Sequence, residues 1–177
     1  MRPNFCPQCG HALDRRALDD GRERPVCPAC GFVFYLNPVI AATVLVERDG
    51  KILLVLRGEN PGKGLWGLPG GFMEADETIE QAAARECLEE TGLKIALGET
   101  LGVWSFFHDL KNTSGVVIIY AARVIDGEPR AASDSLQVKF FAPAEIDALT
   151  LAFSSHREAI ASWKEKHVTG HKSHASK

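Results

Sequence analysis

Glu86, Glu89 and Glu90 stand together in ARECLEETGL, a stretch that reads as the end of a helix. At ~100° per residue they fall within an arc of about 100°, leaving Ala84, Cys87, Leu88 and Thr91 for the packed side. The arrangement works against helix stability. Like charges at i,i+3 and i,i+4 cost a few tenths of a kcal/mol each, and carboxylates in a last turn oppose the negative end of the helix dipole. A solvated acidic face normally mixes in Lys or Arg at i,i+4, and here the nearby cation is Arg85. Clustered carboxylate oxygens of this kind suit a divalent ion that keeps part of its hydration, Mg²⁺ or Mn²⁺. The lack of neighbouring His or Cys ligands argues against zinc at this place.

A second constellation lies near the N-terminus. Cys6 and Cys9 in CPQCG and Cys27 and Cys30 in CPACG form two C-x-x-C knuckles, the spacing of a structural zinc site. Disulfides would require an oxidising compartment, and a redox dithiol would not need a matched second pair. A segment of under ~40 residues cannot bury enough apolar surface to fold unaided, so a metal crosslink supplies what its core lacks. Four sulfur ligands leave no open coordination position, which makes this zinc structural rather than catalytic. Cys87, inside the acidic stretch, reads as a small buried apolar residue.

These groups need elements to position them. Thr78 and Gln81 in TIEQ form a capping box and Gly92 is a C-terminal stop, so the acidic helix runs about three turns. Before it, VIAATVLVER, a DG turn and KILLVLR read as a β-hairpin, followed by the Gly- and Pro-dense loop GENPGKGLWGLPGG. After it, GETLGVWSFF, SGVVIIYAARV and LQVKFFA are three further strands. PAEIDAL and SSHREAIASWKEKH are a short helical turn and an amphipathic helix. Strands with interspersed helices indicate an α/β sandwich around a mixed sheet. The tail VTGHKSHASK, with His171 and His174, has almost no apolar residues and reads as a disordered, solvated end.

Composition narrows the partners. With 177 residues, 45% hydrophobic and 24% charged, the chain accommodates one well-cored domain and a small appendage. A net charge of −3 gives no general pull toward nucleic acid or anionic membrane. No apolar run reaches a membrane span of roughly 18 residues, and MRPNFCPQCG lacks the apolar region of a signal peptide. The expected setting is cytoplasmic and the expected partner a small molecule. The oligomeric state stays open, with a homodimer admitted.

From Gly71 to Leu93 the chain reads G-x5-E-x7-R-E-C-L-E-E-T-G-L, which resembles a complete Nudix box. The resemblance implies a hydrolase that cleaves a nucleoside diphosphate linked to another moiety. It also implies a Nudix α/β/α sandwich around a mixed sheet, preceded by a small zinc ribbon. The boundaries expected are a ribbon over 1–37, a hydrolase domain over 38–166 and a disordered tail over 167–177. A four-Cys ribbon ahead of such a domain is similar to NADH pyrophosphatases and to plant zinc-ribbon pyrophosphatases acting on FAD and ADP-ribose. The segment SDSLQVKFFAPAEIDALTLAFSS looks closer to the plant type, and GVWSFFHDLKNTSG stands where the NADH enzymes carry SQPWPFP.

Carried over residue by residue, the resemblance makes Glu86, Glu90 and the Gly70 carbonyl ligands of the catalytic Mg²⁺ or Mn²⁺. Glu89 becomes a further ligand or the water-activating base, and Glu77 and Arg85 the pair that braces loop against helix. Gly70 and Gly71 let the backbone approach the ions closely. A carboxylate from outside the box falls on Asp134, six residues before Phe140, where it either binds metal through water or caps a strand. Trp104 and Phe106 are candidates for stacking on a base. Strand alternation sets Phe107 on the other side, and His108 adjoins them.

The activity implied is metal-dependent hydrolysis of the diphosphate bridge of an ADP-linked metabolite, ADP-ribose or FAD, to AMP and a phosphorylated product. The alternatives are an NADH/NAD pyrophosphatase and a nucleotide-sensing binding protein. The second loses ground because a sensor can drop one of Glu86, Glu89 and Glu90, and all three are present. The ribbon also shows no basic aromatic face for phosphates, since Arg15, Arg16, Arg22 and Arg24 alternate with Asp14, Asp19, Asp20 and Glu23.

Overall fold

A computed structural model of the protein describes residues 3–108 and 113–170. Residues His171 and His174, with the end of the expected tail, lie outside the described residues. The chain divides into two compact units, one built on the segment to Pro38 with a short piece between Phe107 and Ser114, the other on Val39–Phe106 and the chain from Gly115 onward.

In the first unit β1 (Asp14–Ala17) and β2 (Glu23–Val26) pair antiparallel, Asp14 opposite Val26 and Ala17 opposite Glu23. The two cysteine knuckles repeat one another's backbone. Gly10 N–H donates to Cys6 O at 2.9 Å and Gly31 N–H to Cys27 O at 3.0 Å. Both glycines sit in the left-handed region, φ +77° and +76°, which a side chain would oppose.

The second unit is a seven-stranded mixed sheet. Its strands are β3 (Val39–Arg48), β4 (Lys51–Arg57), β5 (Trp66–Gly67), β6 (Gly70–Phe72), β7 (Lys94–His108), β8 (Thr113–Asp126) and β9 (Ser135–Phe141). The main path runs β5-β4-β3-β8-β7, with β6 added to β3 and β9 to β4. β3 and β8 run parallel, whereas β4 is antiparallel to β3, β5 and β9. The β3–β4 turn is Asp49–Gly50, both at positive φ, the conformation that the Asp-Gly pair favours in a hairpin.

Helices cover both faces. α1 (Ile79–Thr91) packs with Ala42, Val44, Val46, Leu53 and Tyr120, while α3 (Ser154–Gly170) packs with Leu45, Ile52, Leu54 and Ile119 through Ala159, Ile160 and Trp163. β3 therefore sends alternate residues to opposite cores, which is why its sequence is apolar without a polar alternation. A single helical turn, α2 (Pro143–Ile146), closes the chain between β9 and α3. Among the described residues no helix is long and apolar enough to cross a membrane.

The structure departs from the sequence reading in three places. The Gly- and Pro-dense stretch read as loop contains β5 and β6, strands too short for a periodic signal and defined by their partners on β4 and β3. β7 starts at Lys94, directly after the helix stop, rather than at Gly98. α3 continues to Gly170, past the expected start of the tail.

Candidate active site

The acidic helix begins and ends as its sequence dictates. Thr78 Oγ1 accepts from Gln81 N–H at 3.3 Å, Gln81 Oε1 accepts from Thr78 N–H at 2.7 Å, and Gly92 closes the helix at φ +72°. Its packed side differs from expectation at two positions. Leu88 is exposed, and Glu90 is buried with only 4% of its surface accessible. The reason is angular: Ala83, Cys87 and Glu90 stand at i, i+4 and i+7, one stripe against the sheet.

Glu90 Oε2 accepts a hydrogen bond from Gly70 N–H at 3.0 Å. Burial pushes its carboxyl up to about 8 against that stabilising bond, and the charges of Asp134 and Glu86 push the same way, while Arg57 pulls down. Glu86, one turn earlier, is also raised by burial, opposed by Arg85 and reinforced by Glu89 and Asp134.

Arg85 organises the rest. Its Nε donates to Glu77 Oε2 at 2.9 Å and its Nη2 to Glu77 Oε1 at 2.6 Å, a two-pronged pair. These bonds, with Glu74 N–H on Oε1, bring the Glu77 carboxyl down to about 2. Arg85 also reaches Phe72 O at 3.1 Å, Glu86 Oε1 at 2.9 Å and Glu89 Oε2 at 3.2 Å. Glu89 is the most exposed of the cluster, with half its side-chain surface accessible.

The glycines fit the crowding. Gly70 sits at φ +151°, and a Cβ there would strike Ala42 O and Thr43. A Cβ at Gly71 would run into the Glu86 carboxylate. Backbone and carboxylates thus approach as closely as they do because no side chain intervenes.

Asp134 arrives by a route that the sequence did not show. The last carbonyls of α1 lack helical partners; Thr91 O accepts from Arg130 N–H at 2.9 Å and Glu90 O from Ala132 N–H at 3.3 Å. The turn that follows carries Asp134, fixed by Gly58 N–H on its carbonyl at 2.7 Å, into electrostatic reach of Glu86 and Glu90.

Two more residues were missed. Arg57, last in β4, donates Nε–H to Pro61 O at 2.8 Å and lies 5.2 Å from the Phe153 ring centroid, close enough to act on Glu90. His156 is buried and accepts Leu68 N–H on Nδ1 at 3.0 Å. Arg57 had no motif to mark it. His156 could have been noticed, since it continues the Ala159, Ile160, Trp163 stripe at i, i+3, i+4 and i+7.

Trp104 and Phe106 lie apart from the carboxylates. Both pack against the cluster on the α3 side of the sheet, and the Trp104 indole N–H donates to Glu158 Oε2 at 2.8 Å. Phe107 is exposed.

The four cysteine sulfurs lie within 4.8 Å of one another, with separations of 3.4, 3.5 and 3.7 Å among the contacting pairs. Four sulfurs at ~2.3 Å from one tetrahedral zinc stand ~3.8 Å apart, so the group fits that ion. Burial opposes ionisation of Cys27, yet N–H groups of Cys30 and Ala29 and the thiols of Cys9 and Cys30 together bring it down to about 6. Arg85 pairs with two of the α1 carboxylates, Glu86 and Glu89. Their all-oxygen donor set and the burial of a repelled Glu90 carboxyl fit a hard divalent cation.

The family profile described as NUDIX domain matches residues 36–163, and the profile described as Nudix N-terminal, a zinc ribbon, matches residues 4–36. An ADP-ribose pyrophosphatase of Methanocaldococcus jannaschii is 42% identical over 107 residues, 60% of this chain and 63% of that protein. An NAD-capped RNA hydrolase NudC of Stutzerimonas stutzeri is 33% identical over 133 residues, 74% of this chain and 46% of that protein. The matched segments thus leave more than a third of each relative uncovered. A crystal structure of a NUDIX hydrolase from Nitrosomonas europaea superposes with a TM-score of 0.86 at 32% identity, covering 96% of this chain and 94% of that one.

Proposed function

The chain belongs to the Nudix hydrolase family and carries the family's N-terminal zinc ribbon, and we propose that it is a metal-dependent pyrophosphatase splitting the diphosphate bridge of ADP-ribose or FAD to leave AMP. The observation that carries this reading is the mutually repelling pair Glu86 and Glu90, with Glu90 buried on the Gly70 N–H and Glu86 partly buried against Gly71. Such a group is stable as a charged set only when a cation joins it.

Glu86, Glu90 and the Gly70 carbonyl are the proposed ligands, with Asp134 as a further carboxylate. Bound there, Mg²⁺ or Mn²⁺ supplies positive charge to phosphoryl oxygens and a more acidic water. The residues of the chain do the rest. Glu90 gives up the proton that burial favours. Glu77 holds Arg85 in two places, and Arg85 orients Glu86. Glu89, exposed beside them, is the group proposed to take the proton of the attacking water or to act as another ligand. Water adds to one phosphorus as the bridging P–O bond breaks, so ADP-ribose yields AMP and ribose 5-phosphate, and FAD yields AMP and FMN. A stacking role for Trp104 and Phe106 has less in its favour, since both rings pack on the opposite core.

The ADP-ribose assignment draws on the archaeal relative, and FAD on the plant-type resemblance of the segment ending in LAFSS. A second reading, NADH or NAD pyrophosphatase, draws on the NudC relatives with equal weight. An apolar pocket discriminates second moieties by only ~1–3 kcal/mol, so activities overlap. Side-by-side kinetics on ADP-ribose, FAD and NADH with Mg²⁺ decide between them. Higher kcat/KM for ADP-ribose or FAD is expected, and a clear preference for NADH overturns the assignment.

A further inference from the structure

The segment Leu68-Pro69-Gly70 enters the acidic cluster, and its polar atoms are tied to three different elements. Gly70 N–H binds Glu90 of α1, Pro69 O accepts from Val44 N–H of β3 at 3.0 Å, and Leu68 N–H binds His156 of α3. Leu68 and Pro69 are fully buried. We infer that His156 is a positioning residue for the candidate reaction: its imidazole, mounted on the opposite side of the sheet from α1, sets the path of this segment and with it the geometry of Gly70 at Glu90. The inference rests on reading the α1 cluster as the catalytic site.

Several features converge on that one bond. Trp66 forms a parallel bridge with Leu151, and Ala152 N–H donates to Trp66 O at 2.8 Å, so the chain entering α3 runs beside the segment as far as Leu68. A Cβ at Gly67 would lie 3.2 Å from His156 Nδ1, so a glycine there leaves the ring its place. Phe153 packs edge-on against the imidazole, centroids 5.0 Å apart at 72°, and Arg57 lies over Phe153. To accept from Leu68 the ring must be neutral at Nδ1; burial, helped by Arg57, brings its pKa down to about 3. Groups that orient metal ligands from behind change metal affinity or activity by ~10–100-fold when removed.

The experiment compares His156→Leu, which removes the acceptor, with His156→Asn, whose Oδ1 stands near the Nδ1 position. Ile160→Ala, in the same helix and core, calibrates what lost stability alone does. Each protein is titrated with Mn²⁺ in the absence of substrate, the exchange rate of the Leu68 amide is measured, and kcat and KM are determined on ADP-ribose. Expected are a ~10-fold or greater loss of Mn²⁺ affinity and of kcat in His156→Leu with KM little changed, and recovery to within a few fold in His156→Asn. Should His156→Leu fail to fold, Gly67→Ala displaces the ring without removing it and should show the same losses. The inference is overturned by unchanged Mn²⁺ affinity alongside faster Leu68 exchange, by an Asn variant as impaired as Leu, or by equal Mn²⁺ losses in Ile160→Ala. Because Mn²⁺ binding and amide exchange need no turnover, they separate a failure of this inference from a wrong substrate assignment.

Discussion

Gly70 N–H and Glu90 Oε2 lie 3.0 Å apart across 20 positions of sequence, joining a short strand to the acidic helix where the carboxylates converge. The bond satisfies a backbone donor and leaves the carboxyl buried among like charges. Ionisation of Glu90 is therefore coupled both to folding and to cation binding.

In chelator, Glu90 binds its proton more tightly folded than unfolded, at about 8 against the ordinary 4.5. Between those values the folded state carries the extra proton, so stability falls as pH rises through the window. His156 tilts the curve the other way below its ordinary 6.5, because its folded pKa is depressed. The difference between wild type and Glu90→Gln isolates the Glu90 contribution. Thermal or urea unfolding should show Glu90→Gln gaining on wild type by on the order of 4 kcal/mol from pH 5 to pH 9. A pH-independent difference contradicts the burial argument.

Glu77→Gln keeps the shape of the pair with Arg85 and removes its charge. Arg85 then loses one of its two anchors. Expected is a ~10–100-fold fall in kcat with unaltered zinc content and circular dichroism. Arg85→Lys should do the same, since an ammonium cannot replace the fork. Full activity in both variants rules out the bracing role.

Much of this was legible in the chain. The helix, its cap and its stop follow from Thr78, Gln81 and Gly92, because those signals act within one turn of backbone. The cysteine knuckles were equally local. What escaped was set by distant partners. β5 and β6 exist because β4 and β3 pair with them, and Asp134 reaches the cluster because Arg130 and Ala132 cap the carbonyls of α1. Leu88 and Glu90 exchanged their expected environments because the helix turned its Ala83–Cys87–Glu90 stripe to the sheet, an angle that a charge pattern alone misjudges. Arg57 and His156 stand in elements read only for their apolar pattern.

The ribbon sulfurs predict one tightly held Zn²⁺ per chain. Cys27→Ser should release it and destabilise the ribbon while some hydrolysis remains, because the carboxylate cluster lies in the other compact unit. Elemental analysis finding no zinc in protein purified without chelator contradicts the assignment. Complete loss of turnover on zinc release would make the zinc catalytic instead.

The most direct measurement is chromatographic identification of products from ADP-ribose incubated with Mg²⁺ and the wild-type protein, alongside Glu90→Gln and a chelated control. The expected result is AMP and ribose 5-phosphate in equal amounts from wild type, falling together with cation affinity in Glu90→Gln and absent in chelator. Absence of AMP from ADP-ribose, FAD and NADH alike, or turnover in Glu90→Gln equal to wild type at limiting Mg²⁺, would contradict diphosphate cleavage by this cluster.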